Sequence, residues 1–507
     1  MIVILSRASD FVNVNEYNEG VYIMDKSKNI FGNPMPNKVY KKALRTKNKY
    51  QKKFGDDSKN TYNLKIEDIN VLTPLNTKNL VISNKETTLN DDKGIIIGNI
   101  RMGFGHYRIS IAMASAANAL GYNPYWLDLH SFENTTCSKL IEYQNSLYSL
   151  GSRLSQKSAL FNKFIWEPTN YTGFKKLSYN SVDQKNAELM ANIYSTLPKD
   201  MPCIATHVWP AQAAIHAGMK NVVNAIPDNW PMALHLAEGS IHLVQTPSSY
   251  LGYRTLKGMH GNKILNPMPA SDIFEVGHYI DHELVVNLEN DCNKRLDRIN
   301  NGKAKRFLLT IGGAGAQQEF YSQIIKKLLP LVKKNEVVLY LNVGDHKNVW
   351  DNLASSIPEL KTLAKTYFND WNKTKEFTDM AIDEDISGVH VFYNQDIFAA
   401  VYSTNLLMRS TDVLVTKPSE LSFYPVPKLL IKRVGGHEMW GAITSSEIGD
   451  GTIECETPEL ALQMIDLMLS DNYILNMMCK KIIDLNKIGR YNGAYKAVEI
   501  AMAMKQD

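Results

Sequence analysis

Residues 94–121 read GIIIGNIRMGFGHYRISIAMASAANALG, and this stretch decides the fold. A run of three isoleucines, typical of a buried strand, breaks into a turn with Gly103 and Gly105, and a helix rich in small residues follows from Ile109. Such a turn brings backbone N–H groups and a helix N-terminus to one point, where a ligand can approach closely because glycine has no Cβ. His106 lies on this turn and can exchange protons near neutral pH. We therefore expect a ligand-binding turn that carries a catalytic group.

This turn is not a dinucleotide-binding fingerprint. The pattern G-x-G-x-x-G fails because histidine, tyrosine and arginine follow Gly105. The acidic residue of that fingerprint is also missing at its usual distance, although Asp128 ends the next apolar run. Glycine is common at strand–helix turns of any α/β protein, so this motif alone leaves a purely structural role open.

The composition is that of an ordinary globular protein with more than one domain. The chain has 507 residues, of which 44% are hydrophobic and 21% charged, with a formal net charge of +4. At about 150 residues per domain, this length predicts two or three domains. The small net charge does not indicate nucleic acid as a partner. The five cysteines are scattered, which favours a reducing compartment over a disulfide framework or a structural zinc site.

The expected location is the cytoplasm, with contact at the inner face of a membrane as an alternative. No stretch approaches the roughly 20 apolar residues of a membrane-spanning helix, and the first apolar run, MIVIL, is too short for a signal peptide. Residues 38–53 carry eight basic side chains spaced by Tyr40 and Tyr50. A solvated helix face would explain them, and so would attraction to anionic lipid, at about 1 kcal/mol per basic residue.

The strand and helix patterns divide the chain into four parts. Two parts alternate strands and helices as doubly wound, Rossmann-like domains do, and the first is interrupted by a helical insertion over about 138–195. The insertion mixes aromatic residues with lysines, which fits a core face, a membrane surface or an acceptor channel. Two such halves imply a cleft at the carboxyl ends of their strands. The parts are an appended N-terminal region (1–92), an N-terminal Rossmann-like domain (93–285), a C-terminal Rossmann-like domain (286–455) and C-terminal helices (456–507).

A second glycine turn opens the C-terminal domain. It follows the strand Arg306–Ile311 and reads GGAGA over 312–316. The turn lacks the lysine followed by serine or threonine of a Walker A loop. Its N–H groups and the following helix can still hold a diphosphate. Tight packing of strand against helix is the alternative explanation for the same glycines.

The densest group of polar residues lies in 412–442, DVLVTKPSELSFYPVPKLLIKRVGGHEMWGA. After the strand DVLVT, we expect Ser419 to cap a helix, while Glu420 can accept two hydrogen bonds from a vicinal diol. A second strand, KLLIK, leads to a turn that places His437 and Glu438 at a strand end. Ordinary helix capping would also explain Glu420 taken alone.

These motifs, in this order, resemble those of the GT-B glycosyltransferases that use UDP-sugars and lipid-linked acceptors. That family includes the muropeptide N-acetylglucosaminyltransferase, plant monogalactosyldiacylglycerol synthase and bacterial diacylglycerol glucosyltransferases. The resemblance covers about residues 93–455. It rests on a glycine–histidine turn, two strand ends, the segment before the interdomain linker, a glycine loop and a nucleotide-sugar signature: GFGH (103–106), THVWP (206–210), NAIPDNWP (224–231), VGHYID (276–281), IGGAGA (311–316) and VTKPSELSFYPVPKLL (415–430).

The resemblance implies an α/β fold of the GT-B type, with two Rossmann-like domains facing a cleft and an extra N-terminal region. Glu420 would hold the ribose hydroxyls, and His437 with Glu438 would contact the donor sugar. The glycine loop and the backbone near Ser419 would line the diphosphate, and the loop at residues 392–393 would clamp the uracil. The full donor-binding set that it implies is Gly312, Gly313, Ala314, Gly315, Phe392, Tyr393, Lys417, Ser419, Glu420, Arg433, His437 and Glu438.

The first domain would face the acceptor. The resemblance places His106 and Asp228 there as catalytic residues, beside an acceptor side formed by Gly103, Gly105, Trp209 and Asn229. Inverting transfer needs a base for the acceptor hydroxyl, which His106 or Asp228 can supply. It also needs positive charge or hydrogen-bond donors for the departing diphosphate, which Lys417, Arg433 and the loop amides can supply.

The leading hypothesis is a metal-independent hexosyltransferase. It would move a hexose or N-acetylhexosamine from a UDP-sugar to the hydroxyl of a lipid or other acceptor, with inversion. Its partners would be the UDP-sugar donor, the acceptor and a membrane surface, with no nucleic acid and no cofactor apart from the donor substrate. Asp383-Glu384-Asp385 has the Asp-x-Asp pattern of metal-dependent transferases, but its polar surroundings indicate a solvated loop.

Two alternatives stay open. An enzyme like UDP-N-acetylglucosamine 2-epimerase would keep the two Rossmann-like halves and use histidine and paired carboxylates for other chemistry. A catalytically inactive, GT-B-shaped binding protein is the second alternative. It is favoured by a shortened signature loop, in which Lys417-Pro418-Ser419 runs directly into Glu420 without the glycines usual in the family.

Overall fold

The computed structural model describes residues 25–85, 89–157, 166, 168–311 and 317–505. The strands are β1 (Asn29–Ile30), β2 (Asn33–Pro34), β3 (Asn63–Asp68), β4 (Lys78–Ser83), β5 (Gly94–Asn99), β6 (Asn123–Asp128), β7 (Cys203–Ala205), β8 (Val222–Ala225), β9 (Ile241–Val244), β10 (Met259–Asn262), β11 (Ile273–Glu275), β12 (Lys305–Thr310), β13 (Val337–Asn342), β14 (Ala364–Phe368), β15 (Gly388–Tyr393), β16 (Val413–Thr416) and β17 (Lys428–Leu430).

The α-helices of the described residues alternate with these strands. They are α1 (Asn37–Phe54), α2 (Phe104–Ala119), α3 (Thr136–Lys157), α4 (Leu177–Ala187), α5 (Val208–His216), α6 (Pro247–Arg254), α7 (His282–Val286), α8 (Leu288–Asn300), α9 (Gln318–Lys333), α10 (Lys347–Ser356), α11 (Leu360–Leu363), α12 (Trp371–Asp383), α13 (Ile397–Met408), α14 (Met439–Ile448), α15 (Pro458–Ser470), α16 (Asn472–Lys487) and α17 (Gly493–Ala503). Within the described ranges, no helix is long and apolar enough to cross a membrane.

The first domain is built on an eight-stranded sheet in the order β11-β9-β8-β7-β5-β6-β4-β3. Strand β5 lies inside this sheet, and every one of its residues is buried. A parallel strand covered on both faces is apolar throughout, which explains the isoleucine run. Strand β6 pairs with one edge of β5 and β7 with the other, so the strand order reverses between β5 and β7. Ligands of open α/β sheets bind outside such a switch point.

The N-terminal region is part of this first sheet. Strands β3 and β4 pair antiparallel, and β4 continues the sheet beside β6. A hairpin that precedes the predicted boundary at residue 92 therefore extends the sheet at its edge. Little in the sequence indicates this, since β3 has one buried position and four exposed ones.

The second domain has a six-stranded sheet of parallel strands in the order β14-β15-β13-β12-β16-β17. Strand β12 has β13 on one side and β16 on the other, so the order reverses here as it does in the first domain. The switch point therefore lies between the ends of β12 and β16, where the sequence predicts the diphosphate and ribose contacts.

The two domains share a continuous apolar core. Helix α2 of the first domain packs against α13 of the second and against α17 at the end of the chain. The interdomain linker and the segment that returns to α17 lie side by side. The His278 N–H donates to the Arg490 carbonyl oxygen at 2.7 Å, and the Gly493 N–H donates to the His278 carbonyl oxygen at 2.9 Å.

The substitution Gly493→Ala is expected to destabilise this crossing. A Cβ at this position would lie 2.4 Å from the Gly277 carbonyl oxygen and 2.7 Å from that of His278, and a main chain cannot easily move away. Overpacking of this kind lowers the free energy of unfolding by about 1–3 kcal/mol. Thermal unfolding followed by circular dichroism measures the change. Glu499→Ala, on an exposed position of the same helix, is the control, and an equal melting temperature for both variants would contradict the expectation.

Candidate functional site

His106 lies at the switch point of the first sheet, in the first turn of α2. Its ring Nδ1 is 2.8 Å from the carbonyl oxygen of Thr206, which follows β7. Because a carbonyl oxygen can only accept a hydrogen bond, Nδ1 carries the hydrogen in the neutral ring. The lone pair is then on Nε2. A histidine held in this tautomer has one nitrogen free to take a proton.

The surroundings of His106 keep its ring neutral. Burial lowers its pKa below the ordinary value of 6.5, and His235 lowers it further, although the Thr206 carbonyl, Asp228 and Glu420 act in the opposite direction. The ring of His207 packs edge-on against it, with centroids 4.8 Å apart. Burial also holds the pKa of His207 well below its ordinary value. Both rings are therefore unprotonated at neutral pH.

The pH dependence of activity should reflect this lowered pKa. If His106 is the base, the neutral ring is the active form, and activity is lost as the pH falls through its pKa. Because that pKa lies below 6.5, we expect the acid limb of the kcat/KM profile to have its midpoint below pH 6.5. An acid limb centred above pH 6.5 in the kcat/KM profile would contradict this assignment.

Asp228 lies close to this histidine group but is paired. Its Oδ2 is 3.1 Å from Nε2 of His235. Burial alone would raise the pKa of Asp228, but the hydrogen bond from His235 and the charges of His437, His235 and His106 hold it well below the usual range. A carboxylate of such low basicity is a poor proton acceptor. Its contribution is better described as a fixed negative charge that orients His235 and favours a protonated His106 during turnover.

Glu420 reaches this site from the second domain. It opens a 3₁₀ helix, Glu420–Phe423, that follows β16. Its Oε2 lies 3.0 Å from the position that a Cβ on Gly105 would occupy, so the carboxylate approaches closely where residue 105 has no side chain. Because Gly105 adjoins His106, the glutamate and the histidine share one crevice between the domains. Ser419 precedes this helix, and its side chain makes no capping hydrogen bond, contrary to the expectation from sequence.

Arg108 connects Glu420 to the seam between the domains. Its side chain is 3% exposed, and its Nε lies 3.4 Å from Oε1 of Glu420. Nη1 donates to Oδ1 of Asn405 at 2.5 Å and to the carbonyl oxygen of Val401 at 3.3 Å, both on α13. Asn405 in turn donates to Asp281 at 2.9 Å. A buried guanidinium needs such partners, so these bonds hold the domains in register around the carboxylate.

The glycine turn also touches the second domain directly. Gly344 follows β13 with φ +60, and a Cβ there would lie 2.5 Å from the ring of Phe104. Arg101 forms an ion pair with Asp345 at 2.6 Å. Gly103, predicted on the acceptor side, has φ +102 at the start of α2, a conformation that glycine adopts without strain. The cleft is therefore closed along this edge.

Lys417 and Glu438 form an ion pair beside Glu420. Burial would lower the pKa of Lys417, but the carboxylates of Glu438 and Glu420 raise it above its ordinary value, so the lysine is cationic. Glu438 also accepts hydrogen bonds from the backbone N–H groups of Val434 at 2.7 Å and Gly435 at 3.3 Å. The Glu438 oxygens are thus occupied by Lys417 and by the backbone of the turn that precedes Glu438. His437 is half-buried and close enough to lower the pKa of Asp228.

Other predicted donor residues have structural partners. Arg433 is paired with Glu454. Phe392 is fully buried and stacks on Tyr367 with ring centroids 4.8 Å apart. Tyr393 is 9% exposed and packs against Phe368. Both aromatic rings therefore belong to the packed interior of the second domain.

The remaining predicted residues are distributed as follows. Trp209 is buried against His207, with ring centroids 5.4 Å apart. Asn229 reaches across the cleft and donates to the Thr444 hydroxyl at 3.0 Å.

The acidic residues of 383–385 lie at the surface, and the carboxylates at both ends form ion pairs with lysines. Among the described residues, no group of three or more His, Cys, Asp or Glu side chains could hold a metal ion. Gly312, Gly313, Ala314 and Gly315 lie outside the described residues.

Sequence reasoning missed three residues of this site: Arg108, His207 and His235. Arg108 was detectable, because an arginine in an otherwise apolar helix needs a buried partner. His207 directly follows the strand end CIAT, next to the switch strand. His235 could not be found in this way, because it lies neither in an apolar helix nor at a strand end, but after an irregular segment that brings it back to Asp228.

Comparison with known proteins identifies two adjacent domain models and several similar structures. Residues 29–255 match a model described as a domain of unknown function (DUF6937), and residues 268–502 match a second, also described as a domain of unknown function (DUF6938). The search of curated proteins gave no match.

The similar solved structures include an epimerase, a glycosyltransferase and a trehalose 6-phosphate synthase. The UDP-GlcNAc 2-epimerase of Neisseria meningitidis bound to UDP-GlcNAc has 13% identity and a TM-score of 0.45, covering 80% of this chain and 98% of that one. A glycosyltransferase of Rickettsia africae has 13% identity and a TM-score of 0.40, covering 81% and 98%. The α,α-trehalose 6-phosphate synthase of Burkholderia multivorans has 10% identity and a TM-score of 0.40, covering 80% and 97%.

The arrangement of the domains follows from the topology itself. Two doubly wound parallel sheets turn their switch points toward one cleft, with His106 on one side and Glu420 on the other. A C-terminal helix returns from the second domain to the first. The chain is therefore an α/β protein of the GT-B type, with two Rossmann-like domains facing a cleft.

Proposed function

We propose that this protein is a glycosyltransferase that moves a hexose or N-acetylhexosamine from a UDP-sugar to an acceptor hydroxyl with inversion. The observation that carries the proposal is that His106 and Glu420 lie on opposite sides of the same cleft. One is a neutral histidine with a free ring nitrogen, and the other is a carboxylate positioned for a diol. Each group lies at the switch point of its own sheet, where α/β proteins bind ligands.

The proposed reaction uses these groups in defined roles. The acceptor oxygen attacks the anomeric carbon while Nε2 of His106 takes its proton, and the bond from that carbon to the diphosphate breaks. Asp228, close to His106, favours the imidazolium that forms. The departing diphosphate gains negative charge, which Lys417 and backbone N–H groups can stabilise. Glu420 holds the ribose hydroxyls and thereby fixes the donor.

A lipid acceptor is favoured by the surface beside the cleft. Leu147, Leu150 and Leu154 form one face of α3, and they are 48%, 49% and 41% exposed. Tyr148 of the same helix lies within electrostatic range of Asp228 and Glu438, so α3 borders the site. Helix α1 packs against α3 through aromatic contacts with Tyr143. It carries no acidic residue and exposes basic residues at Lys38, Lys41, Lys42, Arg45, Lys49, Lys52 and Lys53.

Binding to anionic vesicles should depend on α1. Lys41→Gln together with Lys42→Gln is expected to weaken binding by about 1 kcal/mol per lysine, or roughly 30-fold in partition coefficient. Co-sedimentation with vesicles containing phosphatidylserine measures the effect. The matched control is Lys480→Gln with Lys481→Gln, an adjacent exposed pair on α16, which should bind as the unaltered protein does. Equal loss in both pairs would contradict a membrane role for α1.

An epimerase-like activity is the second candidate, because the cleft holds more proton carriers than a transferase requires. Epimerisation at carbon needs a proton to leave one face of the sugar and return to the other, which two acid–base groups accomplish. His207 lies directly beside His106, and its Nδ1 accepts the Trp209 N–H at 3.1 Å. Its Nε2 therefore carries the proton in the neutral ring.

Product analysis tests both candidates. The purified protein is incubated with a panel of UDP-sugars in D₂O, with and without diacylglycerol vesicles. A glycosylated lipid of inverted anomeric configuration, together with released UDP, is expected. Deuterium at a sugar carbon without acceptor would favour epimerisation instead. If isothermal titration detects no binding of UDP or any UDP-sugar, the proposal fails, and the alternative of an inactive binding protein of another ligand class takes its place.

A further inference from the structure

In addition to the cleft between the domains, a cavity lies where the interdomain linker crosses the segment that returns to α17. Its volume is about 330 Å³, and residues of both domains line it. We call it the hinge pocket. Its other walls are mainly apolar, and its polar lining consists of Thr246, Ser248, His278, Trp440, Thr444, Glu447 and Arg490.

Several buried polar atoms of the hinge pocket have no partner among the described residues. His278 is fully buried, and neither of its ring nitrogens makes a hydrogen bond. The indole Nε1 of Trp440 and Nε of Arg490 are also unpaired. Unpaired buried polar atoms are uncommon in native proteins, because each is costly. The concentration of such atoms around one cavity therefore points to a bound molecule that accepts hydrogen bonds.

The guanidinium of Arg490 and the start of helix α6 both lie at the hinge pocket. Nη1 of Arg490 donates to Glu275 at 2.8 Å and to the Gln245 carbonyl oxygen at 3.3 Å, which fixes the guanidinium. Helix α6 begins at the pocket, with Thr246 as its N-cap and Ser248 exposed in its first turn. A helix N-terminus presents N–H groups and positive potential to an anion. The carboxylate of Glu447 is on an exposed residue.

We propose that the hinge pocket binds the phosphate group of a small metabolite. Arg490, the ring N–H of His278, the indole N–H of Trp440 and the Ser248 hydroxyl donate to its oxygens from several directions. Such a donor set suits a tetrahedral oxyanion better than a planar carboxylate. The apolar walls then contact the rest of the metabolite.

This site is separate from the cleft that holds Glu420. The 3₁₀ helix Glu420–Phe423 lies between them, with Glu420 at Gly105 and the Phe423 ring tilted against that of His278 at a centroid distance of 5.0 Å. The proposed phosphate donors are not residues of the cleft, although Thr444 in the pocket wall accepts a hydrogen bond from Asn229 on the cleft side. The bound phosphate contacts the first domain through α6, the linker through His278 and the second domain through Trp440, so it joins the domains at their hinge.

The test follows the indole N–H signal of Trp440 by NMR in the full-length protein labelled with ¹⁵N-tryptophan. The signal is assigned with Trp440→Phe, and inorganic phosphate is added into the millimolar range in the presence of saturating UDP. We expect a saturable shift of this signal. The shift should persist whether or not UDP binds, so a failure of the proposed glycosyltransferase activity would not affect the result. Acetate should bind at least about tenfold more weakly.

Two variants make the result specific. Arg490→Gln should weaken phosphate binding at least about tenfold, because the charged donor is lost. Ser248→Glu changes an exposed residue and places a carboxylate in the pocket, so it should abolish the phosphate response while the protein stays folded. Ser271→Glu, on an exposed turn outside the pocket, is the control and should respond normally. An absent Trp440 shift, an unchanged response in Ser248→Glu, or equal binding of acetate and phosphate would overturn the proposal.

Discussion

The substitution His106→Asn is expected to reduce kcat by about 10²- to 10⁴-fold, the usual contribution of a general base. The asparagine amide can still donate to the Thr206 carbonyl oxygen, which now receives the Nδ1 hydrogen at 2.8 Å. The local structure is therefore retained, while the free nitrogen that accepts the proton is lost. Steady-state kinetics with the UDP-sugar identified by product analysis measure the loss. UDP affinity, measured by isothermal titration, should change by no more than about twofold.

The separation of rate from affinity is the decisive part of this result. A structural role for His106 would lower both quantities together, and the melting temperature would fall with them. His260→Asn is the control, because His260 is half-buried in β10 and its side chain has no hydrogen bond among those described. Full activity of His106→Asn would show that another group takes the proton.

The substitution Glu420→Ala is expected to weaken UDP binding by about 10- to 150-fold. Hydrogen bonds from a ribose diol to a buried carboxylate contribute about 1.5–3 kcal/mol, and each 1.4 kcal/mol corresponds to a factor of about ten in affinity. The carboxylate is 16% exposed and lies against Gly105, so water replaces it poorly. Isothermal titration with UDP measures the change, and Glu376→Ala, at an exposed position of α12, is the control.

A modified ligand distinguishes ribose binding from a general effect on the cleft. Arg108 loses one partner when Glu420 is removed, and a shift of the domain seam could weaken any ligand. The protein with Glu420 should prefer UDP to its 2′-deoxy analogue, whereas the alanine variant should bind both equally. If the preference survives in the variant, Glu420 does not hold the ribose. The variant keeps the Arg108 contacts with Asn405 and Val401, so we expect it to stay folded.

The central strands and the first glycine turn could be predicted from the sequence because their signals are local. The strands expected at the isoleucine run, at Arg306–Ile311, at DVLVT and at KLLIK are present within a few residues of their expected bounds. A buried parallel strand is a short apolar run, so its position needs no knowledge of its neighbours. Two α/β units then imply facing switch points, and this is why His106 and Glu420 could be placed on opposite sides of one cleft.

Features that depend on pairing between distant segments could not be predicted. Strand β3 is mostly exposed and polar, so only its pairing with β4 shows that it belongs to the sheet. The ion-pair partners of individual side chains could not be predicted either. Glu438 and Arg433 looked available for a ligand in the sequence, but each is held by a partner that lies 21 residues away in the chain. Tertiary contacts of this kind override the local pattern.

The position of α17 has a consequence for synthesis on the ribosome. Its residues Ala494, Ala497, Val498 and Ala501 belong to the same apolar cluster as α2 of the first domain. The first domain leaves the exit tunnel well before these residues are made, so its apolar surface stays uncovered until α17 has been synthesised. Nascent chains stalled before residue 493 should therefore recruit chaperones, and they should release them once α17 emerges.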